Sequence, residues 1–129
     1  MAKLDASKVD ELFAQAPEEI AKGNVLNAGA QLKAEVKGVK GETLSEGALM
    51  DVQQDQDQWV AKVAQMSLSV KVTPKIRDVF VSVEKSLTVD VNTRDSEVVQ
   101  AIWEQMQETV LTDTIETVVK AANLLNKAV

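Results

Sequence analysis

The chain has 129 residues and a net charge of −6, from 14 basic and 20 acidic residues; 45% of it is hydrophobic but only 3% aromatic. It holds no Cys and no His. That excludes a disulfide frame, thiolate and imidazole metal sites, a cysteine nucleophile and a Ser-His triad. The acidic balance also disfavours nucleic acid as the main partner, because phosphate binding draws on a basic surface.

In chain order, Val9, Leu12, Phe13, Ala16 and Ile20 recur at spacings of three and four and predict a helix from about Asp5 to Gln15. Pro17, followed by Glu18 and Glu19, suits the first turn of a second short helix that Gly23 ends. Leu26, Ala30, Leu32 and Val36 give a weak helical stripe between Asn24 and Val39, and Gly38-Val39-Lys40-Gly41 reads as a flexible joint. Lys33, Lys37 and Lys40 are a local basic exception, diluted by Glu35 and Glu42 into a solvated face. Residues 1–41 are therefore expected as short helices with a joint, and 42–129 as the main helical domain. The first ten residues show neither an apolar run nor a small-residue cleavage site. Synthesis in the cytoplasm is the expectation, with export that needs no cleaved signal left open. No stretch approaches the roughly 18 apolar residues that span a bilayer.

Thr43 and Glu46 have capping-box spacing. Leu49, Val52, Gln56, Trp59, Val60 and Val63 then predict an amphipathic helix to about Met66. Residues 67–92 satisfy two patterns. Leu68, Val70, Val72, then Val79, Val81, Val83, then Leu87, Val89, Val91 alternate as in a three-stranded antiparallel meander with turns near Pro74–Arg77 and Lys85–Ser86. Leu68, Val72, Ile76, Val79, Val83 and Leu87 step equally well as a helix. Neither turn centre holds Gly, Asn or Asp, and Thr73-Pro74 resembles an N-cap with proline at the first helical position. The helix is the preferred reading. From Ser96 to Lys127 a long helix is predicted, capped by Thr93 or Asp95. Its stripe includes Val99, Ile102, Trp103, Met106, Val110, Leu111, Ile115, Val118, Ala122 and Leu125.

Chemical motifs are scarce. Counting a calcium loop from Asp55 puts Val60 at the sixth place and Met66 at the twelfth, where Gly and Glu are needed, so Asp51, Asp55 and Asp57 read as a solvated helix face. Gly38-x-x-Gly41 is a plain turn by its surroundings. No Walker loop and no dinucleotide fingerprint is present. Trp59 and Trp103 lie on apolar stripes and read as core or interface anchors. No catalytic, cofactor-binding or metal-binding residue is assigned, no cofactor is expected, and the chain is expected not to be an enzyme.

Residues 65–89, QMSLSVKVTPKIRDVFVSVEKSLTV, resemble the C-terminal helix of two related families, the flagellar hook–basal body junction protein and the inner-rod protein of type III secretion systems. The likeness lies in the alternating Ser/apolar stretch Met66 to Val72, the step Ile76-Arg77-Asp78, and Val81, Ser82 and Leu87. It covers about a fifth of the chain; Pro74 falls inside it, and residues 90–129 follow where the junction protein ends. The resemblance implies a small helical subunit that assembles through terminal helices.

The sequence thus leads to an all-α expectation: an elongated helical hairpin or small bundle with a long C-terminal helix. The alternative is α+β with a meander at about 67–92. The function expected is a structural assembly subunit, a rod-like component of a secretion or flagellar-type apparatus, with other protein subunits as partners. The alternative is a helical adaptor or chaperone-like module. The expected interaction surface is Leu68, Val72, Ile76, Val79, Val83, Leu87, Ile102, Met106, Leu111, Ile115, Val118 and Leu125.

Overall fold

Alternation, rather than helical spacing, governs the chain up to the final helix. Ala30, Leu32, Ala34 and Val36 alternate with Gln31, Lys33, Glu35 and Lys37, a period of two that turns every apolar side chain to one face of a strand. The computed structural model describes residues 25–76 and 78–127. The two helices expected before Asn24 lie outside the described residues.

The elements are strand β1 (Val25–Gly38), strand β2 (Thr43–Ala48), two short helices α1 (Leu49–Gln54) and α2 (Gln56–Trp59), strands β3 (Val63–Ile76), β4 (Val79–Phe80) and β5 (Val83–Asp90), and helix α3 (Ser96–Lys127). The strands form one antiparallel sheet with β2, β1 and β3 side by side. Beyond β3, β5 pairs with residues 65–72 and β4 with Lys75 and Ile76.

The all-α expectation is overturned, and the α+β alternative describes the molecule. The helical stripe expected over 24–39 is β1. Thr43 and Glu46 lie in β2 rather than at a helix start, and only 49–54 and 56–59 of the helix expected over 43–66 are helical. The span 67–92, preferred as a helix, holds most of β3 together with β4 and β5. The expected turn at Lys85–Ser86 does not exist, because β5 runs through both residues. The sheet also crosses the expected boundary after Gly41, and Gly38 to Gly41 is the β1–β2 turn, closed by Gly41 N–H donating to the Gly38 carbonyl at 3.0 Å. Gly41 has φ +78°, a conformation glycine adopts without steric cost.

The long C-terminal helix is present over the predicted span, and the sheet supplies its partner. Met66, Leu68, Val70 and Val72 of β3 are buried on the same side as Val36 and Val83. Val99, Trp103, Met106, Val110, Leu111, Val118 and Ala122 of α3 are buried against them. A strand of 14 residues at about 3.3 Å each and a helix of 32 at about 1.5 Å each are nearly equal in length. The stripe that asks for a partner along its whole length therefore finds one inside the same chain. No helix among the described residues is long and apolar enough to cross a membrane.

Candidate interaction surfaces

Most of the predicted interaction residues lie in the core. Leu68, Val72, Val83, Met106, Leu111 and Val118 are buried; Leu87, Ile102, Ile115 and Leu125 are half-buried in packing against that core. Val79 is exposed, and the side chain of Ile76 lies outside the described residues. The structure brings these residues together, but as the layer between sheet and helix rather than as an outer surface.

The outer surface is the other face of the sheet, which α3 leaves uncovered. Strand register places its side chains in four rows, written from β1 through β3 to β5. They are Lys37–Gln65–Asp90, Glu35–Ser67–Thr88, Lys33–Ser69–Ser86 and Gln31–Lys71–Glu84. The middle of the face is short and hydroxylic. Ser67 and Thr88 are hydrogen-bonded at 3.0 Å across the strands, and Gln65 Nε2 donates to Asp90 Oδ1 at 3.0 Å. Glu35 pairs with Lys37 at 3.3 Å, both partly solvated, a contact worth well under 1 kcal/mol in such surroundings. Beside the hydroxyl floor a shallow depression of about 580 Å³ runs between Lys33, Glu35, Ser67, Ser69 and Glu46. The flanks differ in balance: β1 carries Lys33 and Lys37 with Glu35 between them, and β5 carries Glu84 and Asp90.

The outer strands β2 and β5 resist the addition of another strand. On β2, only six residues long, Gly47 adopts φ +128°. On β5, Lys85 lies opposite Val70, so a cation sits in the core-facing row between Val83 and Leu87. Short edge strands and inward-facing charges are devices that discourage edge-to-edge pairing.

Sequence reasoning missed the open face because it read 24–39 and 67–92 as helices. The signal that finds it is the alternation of Gln31, Lys33, Glu35 and Lys37, together with Ser67, Ser69 and Lys71. Asp51, Asp55 and Asp57 are not brought together as a ligand set: Asp55 Oδ2 accepts from the Ser45 hydroxyl at 2.9 Å. Among the described residues no group of three or more Asp or Glu is placed to hold a metal ion. Comparison with known proteins finds no matching family model, no matching curated protein and no matching solved structure.

Proposed function

We propose that this chain is a non-enzymatic assembly subunit that associates with a second copy of itself through the open face of its sheet. The observation that carries the proposal is the charge order across that face. A two-fold axis along β3 lays β1 of each copy over β5 of the other. Lys37 then stands over Asp90, Lys33 close to Glu84, and the hydroxyl rows of β3 over one another. Opposite charges meet on both flanks, while Lys71 of β3 meets its own copy near the axis; complementary potentials on the flanks fix register and favour encounter. A polar face suits a reversible interface, since non-obligate interfaces are about as polar as the remaining surface.

The proposal moves the contact from the helical stripes to the sheet. It carries an assembly role only, because the helix that the flagellar and secretion-rod resemblance implies over 65–89 is replaced by β3, β4 and β5.

Sedimentation velocity across concentration tests it. The mass should rise from monomer toward dimer, more readily at low salt. Lys37→Glu alone and Asp90→Lys alone should each weaken the dimer, and the two changes together should restore it. A monomer at every concentration, or a dimer indifferent to all three variants, overturns the proposal. A monomer that takes up a different protein through this face returns the adaptor reading.

A further inference from the structure

The three connections at one end of the sheet each bring a cation to one open cleft of about 990 Å³: Lys40 from the β1–β2 turn, Lys62 from the α2–β3 connection and Arg94 from the β5–α3 connection. All three are exposed, and among the described residues none is in an ion pair. The carboxylate that shares the wall, Glu42, is held to the β1–β2 turn. Its Oε2 accepts from the Lys40 backbone N–H at 3.1 Å, and its head lies over Gly38, in space that a Cβ would occupy.

Thr93 also lines the cleft, and its Oγ1 accepts from the Asp95 N–H at 3.1 Å, which leaves its own O–H to donate outward. Helix α3 begins just beyond, with the positive end of its dipole on this side. The Asp95 carboxylate is occupied there by the Glu97 N–H at 3.0 Å. Val63 and Val91 form a buried apolar floor. In a chain of net charge −6, general attraction does not hold anions, so a site for one has to be built locally.

We propose that this cleft binds the phosphate group of an anionic ligand. Three cationic arms and a hydroxyl converging on one opening match a dianion with several terminal oxygens better than a single carboxylate. That phosphate can belong to a soluble phosphomonoester or to a lipid headgroup. Val39, 80% exposed on the rim of the cleft, is the apolar contact a lipid would use. The inference is independent of self-association through the sheet face.

Amide NMR spectra of the full chain, titrated with inorganic phosphate against sodium chloride of equal ionic strength, test it. Saturable shifts at Lys62, Thr93 and Arg94 with phosphate alone are expected, with affinity about tenfold lower or worse when Lys40→Gln, Lys62→Gln and Arg94→Gln are combined. Lys71→Gln, on the open sheet face, should leave binding unchanged. Co-sedimentation with phosphatidylcholine vesicles containing phosphatidic acid, lost in the triple variant, assigns the phosphate to a lipid. Phosphate binding without co-sedimentation assigns it to a soluble ligand. Shifts that do not saturate, that chloride reproduces, or that persist in the triple variant overturn the proposal, and so does vesicle binding that survives it.

Discussion

The indole of Trp103 on α3 meets the indole of Trp59 on α2 edge to face, with ring centroids 5.4 Å apart and planes inclined by 69°. Both rings are buried, at 1% exposure each, so this pair clamps the short helices and the long one across the core. The two indole N–H groups differ. Trp59 Nε1 donates to the Val52 carbonyl at 3.0 Å, whereas Trp103 Nε1 has no partner among the described residues.

Trp59→Phe should therefore cost more than Trp103→Phe. The first removes one hydrogen bond to the Val52 carbonyl, which keeps the Asp55 N–H at 3.2 Å, at about 0.5–1.5 kcal/mol beyond lost packing; the second removes a donor that has nothing to satisfy. Either residue changed to Ala should cost about 3–5 kcal/mol. Urea denaturation followed by circular dichroism ranks the four variants. Equal losses for the two Phe variants contradict the hydrogen-bond account.

Lys85 is the second test. It sits on the core-facing side of edge strand β5, opposite Val70 and half-buried. Lys85→Val should keep or raise the unfolding midpoint, since the position faces apolar neighbours, and should also release edge pairing. Faster aggregation on agitation, read by turbidity, is the expected outcome. Lys85→Arg keeps the charge and should behave as the parent chain. A valine variant as soluble as the parent removes the guarding role from Lys85.

The start of α3 gives a smaller effect with a clear control. Asp95 Oδ1 accepts from the Glu97 N–H at 3.0 Å, and the Asp95 carbonyl accepts from the Val99 N–H at 3.0 Å. Asp95→Ala should cost about 1 kcal/mol, while Asp95→Asn, which retains the acceptor, should recover most of it. Thermal unfolding of the three proteins checks the order.

How much of this was legible in the sequence depended on which periods coincided. Helix α3 stood out because its stripe keeps helical spacing over its whole length and Asp95 offers a cap. Trp59 and Trp103 were legible as anchors for the same reason. Residues 67–92 were not, because Leu68, Val72, Val79, Val83 and Leu87 fit a helical stripe while their neighbours Val70, Val81 and Val89 fit strands. Two local cues tipped the balance wrongly. Thr73-Pro74 resembles a helix start, yet Pro74 lies within β3, where its carbonyl accepts from the Val81 N–H at 3.0 Å. Lys85–Ser86 resembles a turn, yet it continues β5. Strand β1 was hidden by its alanines: Ala30 and Ala34 are inward positions that carry little hydrophobic signal. The open face followed from those strands and vanished with them.

The uncovered-stripe expectation and the observed core separate at Val118. If the stripe faced a partner subunit, Val118→Asp would leave a folded monomer and abolish only association. In the structure Val118 is 0% exposed, whereas Leu124, six residues on along the same helix, is 69% exposed. A carboxylate at Val118, a position sealed from solvent within the core, should cost several kcal/mol to bury. That is comparable with the whole stability of a domain this size, about 5–15 kcal/mol. Val118→Asp should therefore lose the cooperative unfolding transition. Leu124→Asp should shift it by no more than about 0.5 kcal/mol. A folded, soluble Val118→Asp monomer with a near-parental midpoint is the result that the packing of α3 on the sheet cannot accommodate.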